Sequence, residues 1–388
     1  MAGLYIHIPF CASRCIYCGF YSTTSLELRQ QYVDAVCREI MLRSEKPEVR
    51  GEKIETVYLG GGTPSQLTIP QLKQLFLYIN KVYPLTTHHS PRTTEITIEA
   101  NPDDVTPVWA EVLPQLGINR ISMGAQTFDN KRLRFLHRRH KADQVRQAVD
   151  ILRKVGIRNI SIDLMYGFPD ETLDDWLRDI DAALALDVDH ISAYCLMIEE
   201  DTPLWRLQMK NEKLKMPDEE LERQMYEVLI DKLTAAGYEH YEISNFAKPG
   251  YRSRHNSSYW QDIPYIGLGA AAHSYTVLEG SPSERTAVRS WNVADIQQYI
   301  KAIEHGELPS EQELIDTDTH YNDRITVALR TSNGLDLTNL SNRHRRYCMK
   351  EAQRFLDDGL MQLHDNHLSL TRKGLFVSDY IMSSLIMV

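Results

Sequence analysis

The stretch that decides the fold is Tyr5-Ile-His-Ile-Pro-Phe-Cys-Ala-Ser-Arg-Cys-Ile-Tyr-Cys18, where a strand-like apolar run leads directly into three cysteines. Cys11, Cys15 and Cys18 have the spacing C-x3-C-x2-C. Three thiolates at this spacing can bind three irons of a 4Fe–4S cluster from one loop, and the fourth iron then has no protein ligand. Two alternatives stay open: buried cysteines on one face of a helix, and a zinc site with His7 as the fourth ligand.

The composition is that of an ordinary globular protein, with 388 residues, 43% hydrophobic residues, 25% charged residues and a formal net charge of −10. This acidic balance argues against nonspecific binding of duplex DNA, which relies on many Lys and Arg contacts to phosphate. No apolar run is long enough to span a membrane, and Met1-Ala-Gly-Leu-Tyr5 lacks the pattern of a signal peptide. We therefore expect a cytoplasmic protein with at most a peripheral membrane contact.

Strand and helix signals alternate over the first two-thirds of the chain. The predicted strands are 4–8, 56–59, 95–99, 120–123, 159–165 and 190–196. The predicted helices between them are 26–43, 70–82, 107–116, 141–155 and 172–186. Repeated βα units indicate a parallel sheet with helices outside it. Six units are too few for an eight-stranded barrel, so the pattern predicts an α/β fold built on a partial (β/α)6 barrel.

The length predicts two or three domains at about 150 residues each. We predict the barrel over 1–248, an irregular connecting segment over 249–290, and a C-terminal α+β domain over 291–388. The order of predicted helices and a final hairpin in the last part resembles a winged-helix module. Because this module is only weakly basic, the charge favours a lid or docking role over nucleic-acid binding.

The cysteine motif and the run before it resemble the signature of radical S-adenosylmethionine (SAM) proteins. More narrowly, they resemble the oxygen-independent coproporphyrinogen III oxidase family, and the resemblance covers essentially the whole chain. It implies a 4Fe–4S cluster on Cys11, Cys15 and Cys18, with SAM bound to the open iron through its methionine amine and carboxylate. It also implies the partial (β/α)6 barrel of that superfamily.

A glycine run, Gly60-Gly-Gly-Thr-Pro64, follows the second predicted strand. Glycines there let the backbone approach a ligand closely, although a tight βα turn would explain them equally well. Polar residues at the C-terminal ends of barrel strands are typical of functional sites. By the resemblance, the residues expected at the SAM site are Tyr5, Tyr17, Gly61, Gly62, Thr63, Glu99, Gln126, Arg138, Asp163, Cys195 and His273, with Cys195 contributing its backbone.

The chain departs from the coproporphyrinogen oxidases at two points. Phe20 stands where those enzymes carry a fourth nearby cysteine, and the cysteine motif begins at residue 11, without their longer N-terminal extension. Both departures match a sister group within the family, which is described as binding heme and delivering it to other proteins.

A second motif supports that sister group, because Arg254-His-Asn-Ser-Ser-Tyr-Trp260 fits its H-N-x-x-Y-W pattern. A histidine imidazole is a common axial ligand of heme iron, and tyrosine and tryptophan offer flat apolar surface to a macrocycle. A lone histidine beside two aromatic residues is otherwise most often a packing feature. We expect heme to bind His255, Tyr259 and Trp260, and the second axial ligand stays open among His88, His89 and His137.

The sequence therefore predicts a heme chaperone that carries a SAM-ligated 4Fe–4S cluster and passes heme to acceptor proteins. The alternatives are oxidative decarboxylation of the propionates of coproporphyrinogen III and radical SAM chemistry on another substrate. Whether the chain is an enzyme stays open, and no residue is assigned a catalytic role. Dimerisation also stays open.

Overall fold

The computed structural model describes residues 2–45, 53–83, 85, 93–210, 214–278 and 286–387. His88 and His89, two of the histidines considered as heme ligands, lie outside these ranges. Within them, no helix is both long and apolar enough to cross a membrane.

The first six strands are parallel, lie side by side in chain order and alternate with helices. The strands are β1 (Ala2–Ile8), β2 (Ile54–Gly61), β3 (Glu95–Ala100), β4 (Arg120–Gln126), β5 (Asn159–Tyr166) and β6 (His190–Cys195). The helices are α1 (Arg29–Ser44), α2 (Ile69–Val82), α3 (Pro107–Val112), α4 (Asn130–Phe135), α5 (Ala142–Lys154) and α6 (Leu173–Leu184). This arrangement confirms the predicted α/β fold with its six strand–helix units.

The sheet continues beyond both edges of this parallel core. The next elements are α7 (Pro203–Lys210), α8 (Glu219–Ala235), β7 (Glu239–Glu242), β8 (Asn245–Ala247), α9 (Arg254–Trp260), β9 (Tyr265–Leu268), β10 (His273–Val277), β11 (Ala287–Asn292), α10 (Ile296–Glu304) and β12 (Ser310–Ile315). The strand order is β12-β11-β10-β9-β1-β2-β3-β4-β5-β6-β8-β7. The segment 249–290 was expected to be irregular. It contains helix α9 and strands β9 and β10, and these strands extend the main sheet.

The C-terminal part has its own small sheet and its own core. It comprises α11 (Thr317–Ala328), β13 (Leu335–Asp336), α12 (Asn342–Asp357), β14 (Met361–His364), β15 (His367–Leu370), α13 (Arg372–Leu375) and α14 (Ser378–Leu385). The three strands are antiparallel in the order β13-β15-β14. Ile381 and Leu385 are fully buried in this core, so the apolar C-terminal helix packs onto the module.

Alternation along β1 determines which side chains face the barrel interior. Leu4, Ile6 and Ile8 are fully buried and belong to the main hydrophobic core. Because successive side chains of a strand point to opposite faces, Tyr5 and His7 point to the other side. Tyr5 lines the barrel cavity, and the first cysteine follows three residues after the end of β1.

A buried carboxylate joins helix α1 to the sheet extension. Glu39 is fully buried and accepts hydrogen bonds from Arg43 Nε at 2.8 Å, from the Tyr299 hydroxyl at 2.6 Å and from the Asn292 amide at 2.9 Å. It also accepts one from the backbone N–H of Gly269, between β9 and β10, at 2.8 Å. One side chain therefore connects α1, α10, β11 and the β9–β10 turn.

Replacing this carboxylate should destabilise the protein strongly. We expect Glu39→Ala to lower the free energy of unfolding by about 3 kcal/mol, because it leaves a buried cation and buried donors without their partner. Urea unfolding followed by circular dichroism measures the change. Glu304→Ala, at an exposed position on α10, is the control and should stay within about 0.5 kcal/mol of the parent. Equal effects of the two substitutions would contradict the role of Glu39.

Candidate functional site

A cavity of about 480 Å³ opens at the C-terminal ends of the barrel strands. This is the end at which barrel folds carry their functional residues. The predicted site residues that line it are Tyr5, Cys11, Cys15, Tyr17, Cys18, Gly61, Gly62, Thr63, Glu99, Gln126, Arg138, Asp163 and Cys195. The structure thus brings thirteen of the predicted residues to one cavity. The other four predicted residues, His273, His255, Tyr259 and Trp260, are not among its lining.

The three cysteines of the motif are free thiols on the loop that follows β1. Cys11 is buried, whereas Cys15 and Cys18 are half-buried. The Thr63 hydroxyl donates to Cys11 Sγ at 3.5 Å, and Arg138 Nη1 donates to Cys15 Sγ at 3.5 Å. Donors of this kind stabilise a thiolate, the form of cysteine that binds iron. The loop therefore fits an iron–sulfur cluster.

The zinc alternative has little support in this geometry. No group of three or more His, Cys, Asp or Glu side chains in the described ranges could hold a metal ion. His7 is not free to complete such a site, because its Nδ1 lies 3.1 Å from the Tyr5 hydroxyl and its Nε2 lies 3.0 Å from the Tyr21 carbonyl oxygen. A cluster makes a different demand, since three of its irons each take one cysteine ligand and the three sulfurs need not meet at a single ion.

The glycine run lets the end of β2 approach β1 and the cysteine loop. Gly61 has a φ of +110°, and a Cβ atom there would lie 2.5 Å from the His7 ring. A Cβ atom on Gly62 would lie 2.7 Å from the carbonyl carbon of Pro9. Side chains at these two positions would therefore force β1 and β2 apart at the edge of the cavity.

Two half-buried carboxylates face the cavity from β3 and β5. Glu99 accepts hydrogen bonds from the Tyr58 hydroxyl at 2.8 Å and from the Gly61 N–H at 3.1 Å, and burial raises its pKa to about 7. Burial also raises the pKa of Asp163, whose carboxylate accepts a long hydrogen bond from Ser122 Oγ at 3.4 Å. Buried carboxylates favour a ligand that brings positive charge or hydroxyl groups. SAM carries an ammonium group, a sulfonium group and ribose hydroxyls, so these residues fit it.

Arg138 supplies the cation of the site. Its Nη2 donates to Asn101 Oδ1 at 2.6 Å and to the Gly124 carbonyl oxygen at 2.7 Å, which ties it to the ends of β3 and β4. Gln126, at the end of β4, has a φ of +65°. A non-glycine residue in this region is strained, and such residues are concentrated at ligand sites.

Sequence reasoning missed three polar residues of the barrel interior. Asn101 lines the cavity two residues after Glu99. Its position directly after the end of β3 could have identified it as a site residue. Tyr58 binds Glu99. Arg120 is 1% exposed, and its Nε and Nη1 have no hydrogen-bond partner in the described part of the chain. The sequence did carry a signal for Arg120, which is a charged residue at the start of a buried strand. Because burying an unpaired charge is costly, such a residue indicates a functional or structural role.

The histidine of the second motif lies inside the protein. His255 is 1% exposed, with Nδ1 at 2.8 Å from Thr56 Oγ1 and Nε2 at 2.9 Å from the Tyr259 hydroxyl. Its ring stacks on Tyr58 with the centroids 5.0 Å apart, and burial lowers its pKa to about 3. Trp260 is half-buried, and its buried Nε1 has no partner among the described residues. In this arrangement His255 does not present a free nitrogen to an external iron.

Comparison with protein families identifies the class. Residues 5–183 match the family model of the radical SAM superfamily, and residues 315–377 match the HemN C-terminal domain. The fold is similar to that of coproporphyrinogen III oxidase (HemN) from Escherichia coli, a radical SAM enzyme. The TM-score is 0.81 at 21% identity, over 100% of this chain and 90% of that one. The fold and the cavity thus define a radical SAM protein, a class that implies a 4Fe–4S cluster and SAM.

Similarity to curated proteins is more specific. The chain is 33% identical to the heme chaperone HemW of Bacillus subtilis over 99% of both chains. It is 35% identical to the heme chaperone HemW of Escherichia coli over 70% of this chain and 69% of that one. The chain belongs to the HemW family.

Glu99 should make SAM binding depend on pH. With a pKa of about 7, the carboxylate is largely neutral at pH 6 and largely ionised at pH 8. The ionised form attracts the cationic groups of SAM, so we expect about tenfold tighter binding at pH 8 than at pH 6. Anaerobic equilibrium binding of SAM to the cluster-loaded protein, with iron content checked at each pH, measures the change.

Glu99→Gln should bind SAM more weakly and lose this pH dependence, whereas Glu304→Gln should keep both. A pH dependence that persists unchanged in Glu99→Gln would show that another group causes it.

Proposed function

We propose that this chain binds heme and delivers it to heme-requiring acceptor proteins in the cytoplasm. The observation that carries the proposal is the similarity to the heme chaperone HemW of Bacillus subtilis over nearly the full length of both chains. Phe20 supports it, because this side chain is 71% exposed at the cavity and an aromatic ring offers apolar surface but no thiolate.

Cys11, Cys15 and Cys18 would hold the 4Fe–4S cluster in this proposal. The donors on two of the three sulfurs support the thiolate form. The remaining iron would face the cavity, where Arg138 provides a cation for the carboxylate of SAM. When bound, the cluster and SAM together supply one-electron chemistry, or a ligand-dependent change in the cavity that gates heme delivery.

The carboxylates and the glycine turn would hold the rest of SAM. Glu99 and Asp163 offer acceptors for hydroxyl or ammonium groups, and both are half-buried on strands at the cavity wall. Gly61, Gly62 and Thr63 bring backbone atoms to the cavity wall. Gln126 and Cys195 line the same wall at the ends of β4 and β6.

The motif on α9 remains a proposed heme contact, but ligation by His255 has an energetic cost. For His255 to ligate iron, the ring would have to break its hydrogen bonds to Thr56 and Tyr259. Each buried polar group left unpaired costs about 1–3 kcal/mol. Ligation by His255 therefore requires α9 to move away from β2, with Tyr259 and Trp260 then exposed to the macrocycle.

Heme binding and cluster binding should separate in variants. We expect Cys15→Ser to lose the cluster, because it removes one of the three iron ligands, while heme affinity changes by less than about threefold. Iron and sulfide analysis of the anaerobically reconstituted protein measures the cluster, and a heme titration followed by absorbance measures the affinity. Cys348→Ser, in the separate C-terminal core, is the control and should retain both.

The competing enzymatic function is tested on the same samples. The reconstituted protein is incubated anaerobically with SAM, dithionite and coproporphyrinogen III, and the porphyrinogens are separated by chromatography. We expect no decarboxylated product. Product formation, or a parent protein that does not bind heme, would overturn the chaperone proposal.

A further inference from the structure

An unused imidazole lies beside an indole on the sheet extension. His273 is the first residue of β10 and is paired in register with Trp291 of β11. The two ring centroids are 6.0 Å apart, with 31° between the ring planes. The His273 side chain is exposed, and neither of its ring nitrogens has a hydrogen-bond partner in the ranges that the structure describes. Both nitrogens are therefore open to a ligand.

Other histidines of the described ranges do not combine these features. At least one ring nitrogen is hydrogen-bonded or ion-paired in His7, His140, His190, His240, His255, His305, His320, His344, His364 and His367. His137 is exposed at the cavity, but none of the described aromatic contacts involves its ring. A metal-binding macrocycle needs both a free ligand atom and a flat apolar neighbour, and His273 has both.

The strand order of the sheet brings His273 close to β1, the strand that leads into the SAM cavity. β10 neighbours β9, which in turn pairs with β1, and Gly267 of β9 is in register with Tyr5. A Cβ atom on Gly267 would lie within 3.0 Å of the His273 backbone nitrogen. Burial lowers the pKa of His7, and the nearby His273 lowers it further. The free imidazole thus lies next to the polar side chains of β1.

The charged side chains near this position are paired with one another. Arg289 lies two residues before Trp291 in β11, in the neighbouring cross-strand pair with Tyr275. Its guanidinium already binds Glu313 at 3.0 Å and Asp323 at 2.7 Å, so it is held in place. Desolvation, together with this cation, lowers the pKa of His273. The imidazole is therefore neutral at pH 7, and neutral imidazole is the form that binds iron.

We propose that His273 is an axial ligand of the heme iron and that Trp291 packs against a face of the macrocycle. The proposal rests on the proposed function, since it identifies the ligand within a chain that binds heme. It differs from the ligand that the α9 motif suggests. His273 is free in the folded state, whereas His255 would first have to leave the barrel interior.

The test is a spectroscopic heme titration of the cluster-loaded protein and four variants. His273→Ala should weaken heme binding by at least about tenfold and remove the absorbance and electron paramagnetic resonance signature of histidine ligation. Added imidazole should restore that signature, because the small molecule can occupy the vacated position. Trp291→Leu should weaken binding but keep the histidine signature. His364→Ala, at an exposed position in the β14–β15 hairpin, should match the parent.

Each outcome separates the ligand assignment from the function. If the parent protein binds heme and His273→Ala keeps the same affinity and spectrum, the assignment to His273 is wrong and the chaperone function stands. Loss of the histidine signature in His255→Gln but not in His273→Ala would assign the ligand to the α9 motif. A parent protein that shows no heme binding overturns the function itself. Unchanged iron and sulfide content in His273→Ala shows that the variant is folded.

Discussion

The guanidinium of Arg138 joins the cysteine loop to the ends of two strands. It donates to a motif sulfur, to Asn101 after β3 and to a carbonyl of β4. Arg138 reaches this point because α4 ends just before it, with His137 in the left-handed region and the Arg138 N–H bonded to the Leu133 carbonyl oxygen. A single cation therefore links the Cys15 sulfur to the strand ends that face it. The shape of the cavity depends on that connection.

A polar column continues from this cavity into the barrel. Glu99 binds the Tyr58 hydroxyl, the Tyr58 ring stacks on His255, and His255 binds Thr56. Such a column is stable only if its members satisfy one another, because unpaired polar groups are costly in a low dielectric. The hydrogen bonds satisfy the buried His255 ring, and burial together with the Arg120 cation lowers its pKa and keeps it neutral. The column also means that a disturbance of α9 reaches Glu99 through only two intervening side chains.

The sequence predicted the six strand–helix units because each strand is a short apolar run followed by a helix with its own periodicity. The resemblance to radical SAM proteins supplied most of the predicted residues that line the cavity, and their places near the C-terminal ends of parallel strands agree with a site at one end of a barrel. The sequence did not predict β9 and β10, because β9 is a short strand that contains Gly267 and pairs with the distant β1, and β10 joins the sheet only by pairing with β9 and β11. The same limit applies to His255, because its partner Thr56 is 199 positions away in the chain. A local motif cannot reveal that the ring is already used.

Strand β1 explains how these parts keep their relative positions. A Cβ atom on Gly3 would lie 3.2 Å from the His255 ring, Tyr5 is in register with Gly267 of β9, and His7 packs over Gly61. A strand rises about 3.3 Å per residue, so the seven residues of β1 are long enough to contact His255, β9 and the edge of the cavity in turn. The cysteine loop begins directly beyond β1. Glu39 also fastens the β9–β10 turn to α1, and β9 pairs with both β1 and β10. The strand that carries His273 is therefore joined through a single intervening strand to the strand that leads into the cysteine loop.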